Sequence, residues 1–165
     1  MAKNIAIILA NELTSREKLK VAKEHFSHWY KAALEFWGYF EVGIEREQYK
    51  SASFLLHQAA ESSYKALLLV YTNYSSYDHY LDSMNRQALE ILPAMEDIFP
   101  CETKADKDLF KLFDYAYIGA RYDPDFDITQ KELEYLSGRV ELLLGLTDKL
   151  CKERIEKLKQ DCIKK

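Results

Sequence analysis

Arg121 opens the stretch of this chain best suited to chemistry. It stands near the middle of the run Ala116–Ile128 (AYIGARYDPDFDI), followed at once by Tyr122 and then by two acids and a proline. A guanidinium is a planar fork of donors matched to carboxylate or phosphate. A second set lies upstream. Gln58, Glu61 and Lys65 fall within a ~60° arc at about 100° per helical residue, with His57 one turn before Glu61. A helix that is otherwise apolar thus carries one polar strip. Each set also has a plain reading. Glu61 and Lys65 have the spacing of an ordinary i, i+4 ion pair. Arg121 is a cation where a helix C-terminus favours one, with Asp123 and Asp125 at hand to pair with it.

Other chemistries find less support. A carboxylate di-metal centre in a helical bundle needs Glu-x-x-His pairs, whose members share one helix face. None of His25, His28, His57 and His79 has a glutamate three residues before it. Glu24, His25 and His28 cluster within a turn and a half, but a second ligand set is missing, so they read as a helix flank. No metal and no cofactor is expected. There is no Gly-x-Ser-x-Gly elbow, and the cysteines read as cap or surface residues, which leaves no activated nucleophile. No two glycines stand close enough for a phosphate-cradling loop. No catalytic residue is assigned.

The elements that must position these residues are helical. The run TSRE places Glu17 three residues after Thr14, a capping-box signature. Leu19, Ala22, Phe26, Trp29, Ala33, Phe36 and Phe40 then recur in steps of three and four, and Gly43 is expected to end this first helix. A second helix, from about Glu47 to Thr72, is apolar on nearly every face, the mark of a central position. It carries the polar strip. A third carries Leu81, Met84, Ala88, Leu92 and Met95, with Pro93 ending or kinking it. A fourth carries Leu109, Leu112, Phe113, Ala116 and Ala120 and stops near Arg121. Asp127 or Thr129 can cap the last, whose stripe is Leu133, Leu136, Val140, Leu143 and Leu150. No strand-like alternation competes. The expected fold is all-α: a single antiparallel up-and-down bundle of four to five long helices. Its parts are an N-terminal extension (1–13), a bundle core (14–150) and a basic helical tail (151–165).

Bulk properties agree. A chain of 165 residues suits one domain with a real core. A hydrophobic fraction of 48% with 30% charged residues is that of a globular protein. The net charge of −4 argues against gripping nucleic acid by bulk positive charge. The tail CKERIEKLKQDCIKK mixes both signs and reads as a solvated helix face. Cys151 and Cys162 lie three helical turns apart, too far to bridge within the helix, and Cys101 makes an odd third. A reducing, cytoplasmic setting is the simplest expectation. The apolar run Ile5–Ala10 is too short to cross a bilayer and reads as a helix extension or a docking segment.

Taken in order, YKSASFLLHQAAESSYKALLL, then DHYLDSM, then AYIGARYDPDFDIT resemble the HEPN family (higher eukaryotes and prokaryotes nucleotide-binding) over roughly residues 20–150. The matching positions are Gln58-Ala59, Glu61 and Lys65-Ala66; His79, Leu81 and Met84; and Arg121-Tyr122. The likeness is to the subgroup that accompanies nucleotidyltransferases. It implies a homodimer with the arginine loop near a shared cleft, and a nucleotidyltransferase domain or chain as partner. Many members are ribonucleases that use an arginine and, after four to six intervening residues, a general acid/base histidine. Here those positions hold Phe126, Asp127 and Ile128, so ribonuclease action is not expected. What remains is binding: Arg121 on a phosphate, Tyr122 stacked on a base, Lys65 neutralising charge, with Gln58, Glu61 and His79 completing the site. The alternatives are an endoribonuclease with a displaced histidine, for which His79 is the candidate, and a purely protein-interacting module that uses its many tyrosines.

Overall fold

The computed structural model describes residues 13–164. Among the described residues 80% are helical, forming five α-helices and no strand. They are α1 (Ser15–Glu45), α2 (Tyr49–Thr72), α3 (Leu81–Ile91), α4 (Lys104–Tyr122) and α5 (Gln130–Ile163), with a 3-10 turn at Pro93–Met95. The all-α expectation holds, although α3 is short. The run Ile5–Ala10 lies outside the described residues.

Local chemistry sets the starts of three helices. Thr14, Thr103 and Thr129 each accept a hydrogen bond from the backbone N–H three residues on, and the carboxylates of Glu17, Asp106 and Glu132 accept in turn from the cap backbone N–H. Thr129, rather than Asp127, caps α5. The chain then alternates direction. Gly43 meets Ala52 and His25 meets Asn73, so α1 and α2 are antiparallel. His57 faces Asp114 while Lys50 reaches the Asp123 carbonyl, so α2 and α4 are antiparallel. Tyr49 pairs with Gln130, Ser63 with Thr147 and Tyr71 with the Leu150 carbonyl, which runs α2 and α5 in parallel, as up-down-up-down order requires.

α2 sits at the centre. Leu56, Ala59, Ala60, Tyr64, Leu67 and Leu68 are essentially inaccessible, and Ser51 is its only exposed residue. The buried Tyr64 hydroxyl donates to Asn85 Oδ1 (2.9 Å), tying α3 to the core.

Several details depart from the expectations. Gly43 does not end α1 but lies inside it. A Cβ there would stand 3.0 Å from the Cβ of Ala52, so the glycine serves a close helix approach. The reversal comes later, at Glu47, whose φ of 57° is left-handed, and α2 begins at Tyr49 rather than Glu47. α3 stops at Ile91 because Pro93 disfavours helix in the residue before it and lacks a backbone donor. Cys151 is fully buried, not a cap or surface residue. Thr147 and Cys151, rather than half-buried Leu150, continue the inner stripe of α5, and Ile155 and Leu158 extend it. The core therefore passes residue 150 without a break, and only the outer face of the tail is solvated. No described helix is long and apolar enough to cross a membrane.

Candidate functional site

The strip on α2 is a buried cluster centred on Glu61, which is 4% exposed. Its Oε1 accepts from Lys65 Nζ (2.7 Å) and meets His79 Nδ1 (2.9 Å). Its Oε2 accepts from Gln58 Nε2 (2.9 Å), and His57 Nδ1 stands 3.8 Å away. Burial alone would raise the carboxyl pKa. The Lys65 and His79 hydrogen bonds, with the Lys65 and His57 charges, outweigh it and hold the group below its ordinary value. Lys65 is committed to this pair and lies over Trp29 (4.9 Å to the ring centroid).

His57 is completely buried between this cluster and α4. Its Nδ1 meets Gln58 Nε2 at 3.3 Å. Its Nε2 makes no hydrogen bond and stands 3.8 Å from Asp114 Oδ1. That same oxygen accepts the Leu81 N–H (2.6 Å) at the start of α3. Asp114 thereby fixes the segment that carries His79.

Tyr117 joins the α2 cluster to Arg121. The His79 imidazole stacks on the Tyr117 ring (4.2 Å between centroids, 16° between planes), and Arg121 Cζ lies 4.1 Å from that ring's centroid. Phe54 and Tyr122 complete the guanidinium's aromatic surroundings at 5.0 and 4.8 Å. Arg121 Nε donates to the Tyr117 carbonyl (2.7 Å). Its terminal amino groups make no ion pair or hydrogen bond among the described residues. Asp123 and Asp125 do not pair with it. Asp123 instead accepts from the Tyr115 hydroxyl (3.1 Å) and the Asp125 N–H (2.9 Å), which closes the loop locally.

Beside this stack is a cleft of about 310 Å³, lined by His79, Tyr80, Lys111, Asp114, Tyr115 and Tyr117 among others. Tyr80 and Tyr115 are exposed along it, and Tyr122, 72% exposed, stands at Arg121. The six residues singled out from sequence thus form one connected set. Gln58, Glu61, Lys65 and His79 meet directly, and Tyr117 carries the connection to Arg121 and Tyr122.

His57 was noted beside the strip but not carried into the site, and Tyr117 and Asp114 were not singled out from sequence, although a signal for them was present. Tyr117 and Asp114 precede Arg121 by four and seven residues and share its helix face.

Phe126 stands where an acid/base histidine would be sought, and it is buried. It packs on Tyr115 and fills the space above Gly119, where an added Cβ would come within 2.5 Å of the Phe126 ring. Gly119 and Arg121 point about 200° apart around α4 at 100° per residue. Ile128 is buried too, and Asp127 is exposed.

The arrangement provides a planar cation with free donors, aromatic surfaces around it and a carboxylate-supported imidazole beside a cleft. Residues 26–150 match the family model of the HEPN domain. No curated protein matches the chain.

Proposed function

Because the chain belongs to the HEPN domain family, we propose that it is a non-catalytic, nucleotide-binding helical domain. In this reading it works as a homodimer and as the accessory partner of a nucleotidyltransferase. One observation carries the reading: Arg121 keeps its terminal donors free on an aromatic bed, while Phe126 is packed into the core. A phosphate would take the guanidinium fork. Tyr122 offers an exposed face for a base, and the His79–Tyr117 cleft takes the remainder. Lys65 contributes through Glu61 rather than by direct charge, since that pair is already closed.

The test is calorimetric titration with ATP, GTP and UTP. Saturable binding of at least one is expected, and Arg121→Ala should weaken it about tenfold or more, the scale of a lost charge-assisted hydrogen bond. Silence toward all three nucleotides would sink the proposal.

A second reading is favoured by the Glu61–His79 pair. A carboxylate on Nδ1 orients an imidazole, and His79 Nε2 has no hydrogen bond among the described residues. Such a group could take the proton of an RNA 2′-hydroxyl as its oxygen attacks the adjacent phosphorus and the 5′-oxygen leaves. Cleavage of RNA by the purified chain, lost in both His79→Ala and Arg121→Ala, would establish this reading over the first.

A further inference from the structure

A second cleft lies where the start of α1, the end of α2 and the last turns of α5 converge. It has a volume of about 280 Å³ and shares no lining residue with the cleft at His79. Val21, Ala22, Val70 and Leu158 give it apolar walls, and Lys18 and Arg154 are its cations. Neither cation forms an ion pair or a hydrogen bond among the described residues. Arg154 is held over the Tyr71 ring (5.7 Å). Its Nε is withdrawn from solvent with no acceptor, a costly condition for a charged donor. Nearby polar groups are already engaged. The Thr72 hydroxyl binds the Leu68 and Tyr74 carbonyls, the Tyr71 hydroxyl donates to the Leu150 carbonyl, and Asn73 Oδ1 meets His25.

What the cleft lacks is therefore an anionic acceptor with an apolar body. We propose that it binds a small aliphatic carboxylate. The carboxylate would close on Arg154 and Lys18, and the chain would lie against Val21, Ala22, Val70 and Leu158. Arg154 offers the fork that a carboxylate fits, and the half-open apolar walls resemble those of small-ligand sites, though at the lower end of their size range.

Octanoate is the probe, titrated into the full chain by calorimetry with octan-1-ol as the uncharged match. Saturable binding of octanoate is expected. Octan-1-ol and the Arg154→Gln variant should each bind about tenfold more weakly. Lys18→Gln should weaken binding in the same direction, and unchanged thermal unfolding by circular dichroism would show that the variants remain folded. Three results would overturn the proposal: no saturable binding, equal binding of octan-1-ol, or full affinity in Arg154→Gln. Binding that appears only once residues 1–12 are removed would overturn it as well, making the chain's own leading segment the occupant.

Discussion

Glu61 shows how much a single side chain can organise. Gln58, Lys65 and His79 lie within hydrogen-bonding distance of its carboxylate, and His57 stands just beyond. The spacing of Gln58, Glu61 and Lys65 made the strip legible, because residues on one helix face announce themselves by number. That His79 would return to Glu61 across the intervening loop was not legible from spacing, since nothing local encodes a loop's path. The cysteines taught the opposite lesson. Cys151 departs from the surface expectation because the inner face of α5 continues past Leu150 through Cys151 to Leu158. Burial, with help from Asp148, pushes its thiol up to about 12, whereas Cys101 is exposed. Titration of the native chain with an aromatic disulfide should label Cys101 promptly. Cys151 should react only on unfolding, because the thiolate is the nucleophile; mass spectrometry of labelled peptides distinguishes the two.

At the scale of elements, the decisive piece is the short loop between α4 and α5. Its sequence places Phe126 where an acid/base histidine would be sought, and its structure makes Phe126 a core residue seated on Gly119. Substituting the histidine alone should therefore fail. Phe126→His is expected to cost about 1–3 kcal/mol in urea denaturation, the range for burying an unpaired polar group, and to leave RNA uncut in a gel assay. An active Phe126→His variant of undiminished stability would contradict this packing. Helix starts were the most legible features of the fold. The capping signal of Thr14 and Glu17 and the cap at Thr129 are written within four residues. Helix ends were less so. Gly43 looked like a stop, but its lack of a Cβ lets α1 approach Ala52 instead.

The whole molecule inherits its acid sensitivity from these parts. Because the Glu61 pKa is lowered on folding, the unfolded chain binds that proton more readily. The stabilisation is complete above the ordinary carboxylate pKa of about 4.3. It is lost as pH falls through the lower folded value. The capping carboxylates Glu17 and Asp106 are lowered too, by their threonine hydrogen bonds, so they add to the same trend. Urea midpoints should hold down to about pH 5 and fall as pH drops below about 4.3. Glu61→Gln should flatten part of that fall while costing about 3 kcal/mol at neutral pH, as the broken cluster leaves Lys65 without its partner. The up-down-up-down order followed from helical periodicity and short connections, whereas the convergence of cations at the second cleft did not, because it joins residues far apart in the chain. One consequence rests with α2. With Ser51 its only exposed residue, the central helix has almost no face on which the sequence can drift freely. Surface substitutions that reshape a ligand site therefore cost less on α4, the loops and the far turns of α1 and α5 than on α2, where nearly every change meets the core.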